Sequence, residues 1–488
     1  MVFKGRTVLI FILLAVFASS LVTMTIVNPE ISAQRMNTGS NKDAVATAKQ
    51  SELSKQDLNK LSTAYELIHS KYVTEVDHDK LLNGAINGML GALDDPYSSY
   101  MDPKEAKQFE ESINSSFQGI GAEVALEEGR VTIVAPIKGA PAEKAGIHVN
   151  DVIISVNGEK LDGLTLPQAV AKIRGVKGTQ AKLSIMRAGL TEPVEIIVVR
   201  DDIPIETVFA EMITPEIGKI EIRQFSANTA TKFKTELVAL EGKGMKGLII
   251  DVRDDPGGLL DRVVDIVQPF VAKGKPIVQI EDRQGNRNPT LSEVKEPVRT
   301  YPIAVLINGG SASASEILAG ALKEAAQGKL FGETTYGKGT VQVTFEKEMQ
   351  DGSNIKMTSF KWLTPNGNWI HKKGIEPDVK VSQPAYFKVA PFSKKNVLKA
   401  DMANDDIKTL QIMLTALGLS TERTDGYFND KTVLAVKAFQ NLHKLPVTGE
   451  VDVSMMNKLE KEIVTLIKDP NNDKQLKSAR EYIQNSIK

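Results

Sequence analysis

The hydrophobic period of this chain changes three times along its length, which requires several separately packed units in one polypeptide. From Ser51 to Glu111 apolar residues recur at three- and four-residue steps, first Leu58, Leu61, Tyr65 and Ile68, then Leu82, Ile86, Met89 and Leu93. That is helical spacing. Asp94-Asp95-Pro96 ends the second helix, and Asp102-Pro103 opens another with a capping side chain and a proline in the first turn. From Ser112 to Asp202 short Val- and Ile-rich strands alternate with glycines, with two helical pieces at Pro141–Ala145 and Leu166–Ile173. Between Ile203 and Lys380 apolar runs such as Gly247–Val252 and Pro302–Ile307 each precede a helix pattern, the mark of an α/β core with part of its sheet parallel. The polar segment Arg283–Thr300 reads there as an exposed loop or lid. Beyond Asp401 the helical spacing returns, with Ile407, Leu410, Leu414 and Leu417, then Val433, Val436 and Phe439.

The start of the chain sets the compartment. Lys4 and Arg6 precede an uncharged stretch from Thr7 to Val27, 21 residues, long enough as a helix to cross a hydrocarbon core. Positive flanks keep such an N-terminus inside and send the rest of the chain across the membrane. Ser32-Ala33-Gln34 offers a cleavage site, but several residues beyond the apolar run, so an uncleaved anchor is the preferred reading over a removed signal peptide. Residues 31–50 read as a linker. Sixty Lys and Arg balance 61 Asp and Glu, which excludes a mainly electrostatic nucleic-acid binder. There is no cysteine, so disulfide frameworks, zinc ribbons and cysteine nucleophiles are excluded. Five histidines argue against a His-rich metal centre, and no metal or organic cofactor is expected.

The blocks Phe117-Gln118-Gly119-Ile120-Gly121, Pro141 to Ile147, and Asp151 to Gly158 together resemble a PDZ domain, with Asn150 where a glycine is usual. Asn tolerates a left-handed turn, so the departure is small. Glycines in the 117–121 loop leave backbone N–H groups free for a carboxylate, and the adjoining strand edge can accept an extended peptide. The expected ligand is a protein C-terminus with apolar last residues.

The stretch Asn308-Gly309-Gly310-Ser311-Ala312-Ser313-Ala314-Ser315-Glu316 joins a strand to a helix. Such a turn lifts a hydroxyl out of the backbone and aims free helix N–H groups at a developing oxyanion. A serine needs a base. His69, His78, His148 and His443 lie in other units, and His371, followed by two lysines, reads as a solvated surface residue. A lysine remains, provided burial lowers its pKa by about 3 units, at a cost of roughly 4 kcal/mol. Tyr336-Gly337-Lys338-Gly339-Thr340-Val341-Gln342 fits, its glycines letting the lysine reach in.

Here the resemblance becomes specific. Ser313, Lys338 and Gln342, at intervals of 25 and four residues, look like the Ser–Lys–Gln constellation of the carboxyl-terminal processing peptidases. The resemblance implies Ser313 as nucleophile rather than Ser311 or Ser315, Lys338 as general base, and Gln342 as holder of the lysine amine through its carbonyl oxygen. Asp251 to Leu260 resembles the family's Arg-x-Asn-Pro-Gly-Gly turn, with Asp255 where Asn is usual. It implies an oxyanion hole built from the Ala314 N–H and that of Gly257 or Gly258, with the Asp255 charge opposing the oxyanion unless its side chain turns away. Arg174, at the end of a PDZ helix, is a candidate regulator, and a helix-terminal surface charge is its simpler reading. Leu93 to Tyr100 and Lys373 to Asp378 complete the likeness, over residues 55–380.

Asp425-Gly426-Tyr427-Phe428, Ala435-Val436, Phe439-Gln440 and Val447-Thr448-Gly449 look like a small three-helix peptidoglycan-binding domain. The expected fold is multidomain α/β, with a core similar to crotonase and Clp-type proteases. Its expected layout is a signal or membrane anchor (1–30), linker (31–50), N-terminal helical arm (51–111), PDZ domain (112–202), protease core (203–385), linker (386–400), peptidoglycan-binding-like module (401–465) and charged tail (466–488), which from Asn471 on reads as a frayed helix or tail. The arm's helices pack within the chain or against a second copy. The function implied is an exported, membrane- or wall-associated serine endopeptidase. The competing reading is a non-catalytic wall scaffold that binds protein tails, and an intact serine, lysine and glutamine favour the enzyme.

Overall fold

The structure, a computed structural model, describes residues 53–127, 129–188, 190 and 192–487. The expected anchor at Thr7–Val27 and the linker 31–50 lie outside the described residues. Among the described residues, no helix is long and apolar enough to cross a membrane.

The arm comprises α1 (Lys55–Lys71), α2 (His78–Gly91), β1 (Ser99–Met101) and α3 (Pro103–Ile113). Ser54 caps α1 by accepting the Asp57 N–H, and Asp77 caps α2 in the same way through Lys80. Neither helix buries a residue, and Leu58, Leu61, Leu82 and Met89 are exposed. The chain then enters the PDZ unit through β2 (Ser116–Gly119), β3 (Ala122–Glu127), β4 (Arg130–Pro136), α4 (Pro141–Lys144), β5 (Val152–Val156), β6 (Glu159–Lys160), α5 (Leu166–Ile173), β7 (Gln180–Met186) and β8 (Val194–Val199), leaving it through β9 (Asp201–Pro204). Its main sheet runs β3-β4-β5-β7-β8, so β3 is an edge. Ile133, Ile153, Leu183 and Ile185 fill the interior.

The core holds β10 (Val208–Thr214), β11 (Ile217–Ile222), α6 (Thr229–Gly242), β12 (Gly247–Asp251), α7 (Leu260–Val267), β13 (Pro276–Glu281), β14 (Arg287–Leu291), β15 (Ile303–Ile307), α8 (Ala314–Ala325), β16 (Lys329–Gly332), β17 (Thr340–Thr344), α9 (Glu346–Met349), β18 (Asn354–Leu363) and β19 (Val379–Lys380). One sheet runs β10-β11-β12-β15-β16-β19, parallel from β11 onward. Every residue of β12 and β15 is buried, as continuous apolar runs covered on both faces should be. A second, antiparallel sheet carries β17, β18, β13, β14 and the arm's β1. The segment expected as a loop or lid thus contains a strand: β14 pairs with β13, Glu281 opposite Arg287. Its run of polar residues hid it, because this hairpin is exposed along β14.

Four helices close the chain: α10 (Asp405–Ala416), α11 (Asp430–Leu442), α12 (Val453–Lys468) and α13 (Lys474–Ser486). The first three share one core around Leu414, Phe428, Phe439 and Leu459. Two expectations are corrected here. Phe392 and Leu398, in the segment expected as a linker, are buried in that core. The tail is no frayed end: Leu476, Ala479 and Ile483 of α13 pack against Ile217, Ile249, Leu306 and Phe331 on the parallel sheet. The helix is charged on its outer face and apolar at three- and four-residue steps, a stripe too narrow to stand out in a short charged segment.

Candidate active site

Ligand sites in α/β sheets form beyond the carboxyl ends of parallel strands. Three neighbouring strands, β12, β15 and β16, end together here, and their following turns converge. The turn after β15 carries three serines with different duties. Ser311 donates its hydroxyl to the Val252 carbonyl at 2.7 Å, and Ser315 donates to the Asp255 carbonyl, also at 2.7 Å. Both stitch this turn to the one after β12. Ser313 Oγ is buried and makes no hydrogen bond. Ser313 also sits at φ +55°, a backbone conformation that costs a serine about 1–3 kcal/mol. Strain of that kind persists only where the surroundings over-determine it.

Glu316 supplies the determination. Its Oε2 accepts the Ser313 N–H and the Lys338 N–H, each at 2.8 Å, and its Oε1 accepts the Gly337 N–H at 2.7 Å and the Thr335 hydroxyl at 2.6 Å. Thr335 Oγ1 receives the Ile375 N–H, which points its own hydrogen at the glutamate. One carboxylate therefore pins the serine turn and the lysine turn together. Burial pushes the Glu316 pKa up, and these four donors oppose that by favouring the charged form. Sequence reasoning passed over Glu316. Its spacing in Ser313-x-x-Glu316, a helix-start signature, was the available signal.

Lys338 is only 1% exposed. Burial, then the like charge of Lys356, bring its pKa down to about 7, against the opposing pull of Glu316 and Asp95. Gly337, at φ +92°, and Gly339 allow the lysine turn to press on 369–374: a Cβ on Gly337 would lie 2.9 Å from the Gly374 nitrogen, and one on Gly339 2.7 Å from Trp369 Nε1. The Trp362 indole donates to the Lys338 carbonyl at 2.7 Å. His371, expected as a solvated residue, is instead half-buried, stacked on Trp369, with Nδ1 accepting the Gly339 N–H at 3.3 Å. It braces the lysine turn.

Gln342 is buried, and its Nε2 donates to Thr340 Oγ1 at 3.1 Å and Thr358 Oγ1 at 2.9 Å. Its Oε1, expected to hold the lysine amine, makes no hydrogen bond. The turn after β12 places Gly257 against Ser313, where a Cβ would lie 2.9 Å from the Ala314 nitrogen and 3.1 Å from Ser313 Cβ. A Cβ on Gly258, at φ +151°, would collide with the Phe225 carbonyl. Asp255 is fully buried and turned onto its own turn, Oδ1 accepting the Gly257 N–H at 2.8 Å. That N–H is thereby occupied. Burial raises the Asp255 pKa well above the usual carboxylate range, which works against the opposing charge expected there.

In the PDZ unit the loop 117–121 runs from β2 into the edge strand β3. Gly121, at φ +75°, approaches Ala140 so closely that a Cβ would clash with it. Phe117, Gln118 and Gly119, expected in a loop with free N–H groups, instead belong to β2 and pair with β9, while the carbonyls of Ile120 and Gly121 accept the N–H groups of Ala142 and Ile137. Gln118 Oε1 accepts the Lys177 N–H at 3.4 Å. Arg174 lies 4.5 Å over the Phe117 ring and 3.9 Å from Glu111 of α3, between this loop and the arm. Among the described residues no cluster suited to a metal ion occurs.

Residues 216–381 match the Peptidase family S41 model, 17–105 the activating protease CtpB N-terminal domain, 111–186 the PDZ domain and 403–459 a peptidoglycan binding domain. The chain is 48% identical over 437 residues to the carboxy-terminal processing protease CtpB of Bacillus subtilis, covering 89% of this chain and 90% of that one. To CtpA of the same organism it is 43% identical over 487 residues, 99% and 100% of the two chains. Among solved structures, a photosystem II D1 C-terminal processing protease shares 27% identity and a TM-score of 0.41 over 68% of this chain and 94% of that one.

Proposed function

This chain belongs to peptidase family S41, as a PDZ-bearing serine endopeptidase of the carboxyl-terminal processing type, and we propose that Ser313 and Lys338 are its nucleophile and general base. One observation carries the assignment. Of three serines in the turn, only Ser313 keeps its hydroxyl unengaged, and Glu316 pins its backbone to that of a buried lysine whose pKa lies near neutrality.

A neutral Lys338 takes the Ser313 proton as Oγ attacks the scissile carbonyl carbon, and the resulting ammonium returns that proton to the leaving amine. Water, deprotonated by the same lysine, releases the acyl group. The Ala314 N–H, at the start of α8, and the Gly258 N–H are the donors for the oxyanion, since Asp255 occupies that of Gly257. Substrate binding has to bring the Ser313 hydroxyl and the Gln342 carbonyl into hydrogen-bonded positions, a tightening common on forming the substrate complex. Phe117, Gln118, Gly119, Ile120 and Gly121 hold the substrate's terminal carboxylate, its apolar last residues extending along β3. Arg174 links that loop to the arm, and Arg174→Ala should lower turnover without changing the fold.

The three-helix module tethers the enzyme to peptidoglycan, and the uncharged segment after Arg6 anchors it to, or exports it through, a membrane. The exposed apolar residues of α1 and α2 support a homodimer through the arm. The assignment is tested by comparing wild type, Ser313→Ala and Lys338→Ala on an unfolded substrate with an apolar C-terminus. Cleavage by wild type alone is expected. Equal cutting by all three would end it, and no cutting by any would favour the tail-binding scaffold.

A further inference from the structure

The N-terminal arm reaches the lysine. Between α2 and β1 the chain makes a tight turn in which Asp95 accepts the Tyr97 N–H at 3.1 Å and the Ser98 hydroxyl at 2.6 Å. Ser98 Oγ in turn accepts the N–H of Thr358, on β18 of the core, at 3.0 Å. β1 then continues as a strand beside β18, with Ser99 opposite Lys356. This docking sets the Tyr97 ring against the lysine, its centroid 4.9 Å from Lys338 Nζ. Tyr336, two residues before Lys338, lies beside Tyr97.

A second line of contacts runs through the carboxylate. Thr358 Oγ1 accepts from Gln342 Nε2 at 2.9 Å and lies beside the Asp95 carboxylate, which places Gln342, Thr358 and Asp95 in one row from the core to the arm. Lys356, buried on the same strand with its amine 5.8 Å from the Phe109 ring of α3, is the other cation in this space. The groups that face Lys338 are therefore Asp95 and Tyr97 from the arm, Tyr336 from its own turn, Glu316 from α8 and Lys356 from β18.

We propose that Asp95 and Tyr97 are positioning residues for Lys338, so that the catalytic lysine's site is complete only when the arm is docked. Tyr97 covers the amine, excluding water and presenting a ring face to the ammonium formed during attack. Asp95 is the counter-charge that Lys338 and Lys356 share. The core thus contributes the nucleophile, and the arm conditions its base. Burial pulls Lys338 toward the neutral form, Lys356 pushes the same way, and Asp95 pulls back.

The inference rests on Lys338 being the general base, and its test separates the two. In a profile of kcat/KM against pH, Asp95→Asn removes an attracting charge and should move the acid limb to lower pH by roughly 0.5–1 unit. Lys356→Met removes a repelling charge and should move it to higher pH by a similar amount. Opposite displacements are the signature, because a merely structural role would lower the whole curve without shifting it. Lys356→Met keeps the test usable should the arm variant fail to fold. Tyr97→Ala should lower kcat at least tenfold with KM little changed, and Tyr97→Phe should keep most of the activity. A limb that stays in place in both charge variants, or a Tyr97→Ala kcat within twofold of wild type, overturns the proposal. If instead Lys338→Ala still cleaves, it is the base assignment that fails.

Discussion

Two glycine-bearing turns in this molecule, both proposed above to meet a negatively charged oxygen, are built differently. The turn Asp255–Gly258 is sealed: Asp255 and Gly258 are buried, Phe225 blocks any side chain at 258, and the serine turn is stitched to it by Ser311 and Ser315. The loop 117–121 lies at a sheet edge, with Phe117 and Gln118 half-exposed and Arg174 resting over the ring. An oxyanion lasts only as long as a bond takes to break, so its donors gain from being fixed beforehand in a dry site. A substrate carboxylate arrives charged from water and must leave again, so its donors have to stay reachable. Rigidity belongs to the transient charge and access to the permanent one.

Four substitutions probe that contrast. Gly258→Ala should lower kcat by about 10²–10³-fold with the PDZ unit still binding a tail peptide, because its Cβ would drive the oxyanion turn off Phe225. Retained turnover would show that the sealed turn is less sealed than described. Gly121→Ala should act on the other side, raising KM roughly tenfold while kcat holds, since a side chain at φ +75° strains the loop and meets Ala140. A fall in kcat alone would blur the division between the two turns.

Ile483→Ala touches neither turn. It removes a buried side chain of α13 from the back of the parallel sheet, and thermal unfolding should read a loss of about 2–4 kcal/mol with kcat near wild type. The smallest effect on activity is expected of Asp255→Asn, within about threefold, because an amide of the same shape keeps an oxygen to accept the Gly257 N–H. Its effect on stability carries a sign. Burial raises the Asp255 pKa in the folded state above its unfolded value, so the native protein holds a proton that the unfolded chain releases. Wild type then loses stability as pH climbs from about 4 toward that raised pKa, whereas the Asn variant does not. The gap between their melting temperatures should widen across that range. A constant gap would mean Asp255 is ionised in the fold.

What the sequence made legible was local. The strand–turn–helix around Ser313 and the glycine-flanked turn of Lys338 are each contained in a few consecutive residues, so neighbouring residue types suffice to suggest them. What it concealed depends on distant partners. Glu316 drew no notice because Gly337 and Lys338, more than twenty residues on, share its oxygens. Asp95 and Tyr97 looked like the end of a helix until they met β18 and the lysine. Phe392, Leu398 and α13 were misread for the same reason, since the surfaces that bury them are supplied by other parts of the chain. His371 and Gln342 show the limit of residue-type reasoning: the first lies nearer the lysine turn than its charged neighbours suggested, and the second uses its amide nitrogen where its carbonyl was expected.

In the proposed mechanism a buried, neutral amine activates a hydroxyl that nothing else in the turn engages. Its most direct measurement is the pH dependence of kcat/KM for the wild-type enzyme on a substrate with an apolar tail, taken from about pH 5 to about pH 11, a span that brackets both a depressed and an ordinary lysine. The account predicts a single-proton rise centred close to the value of about 7 that burial gives Lys338. A rise centred near ~10, where an ordinary lysine titrates, would contradict it.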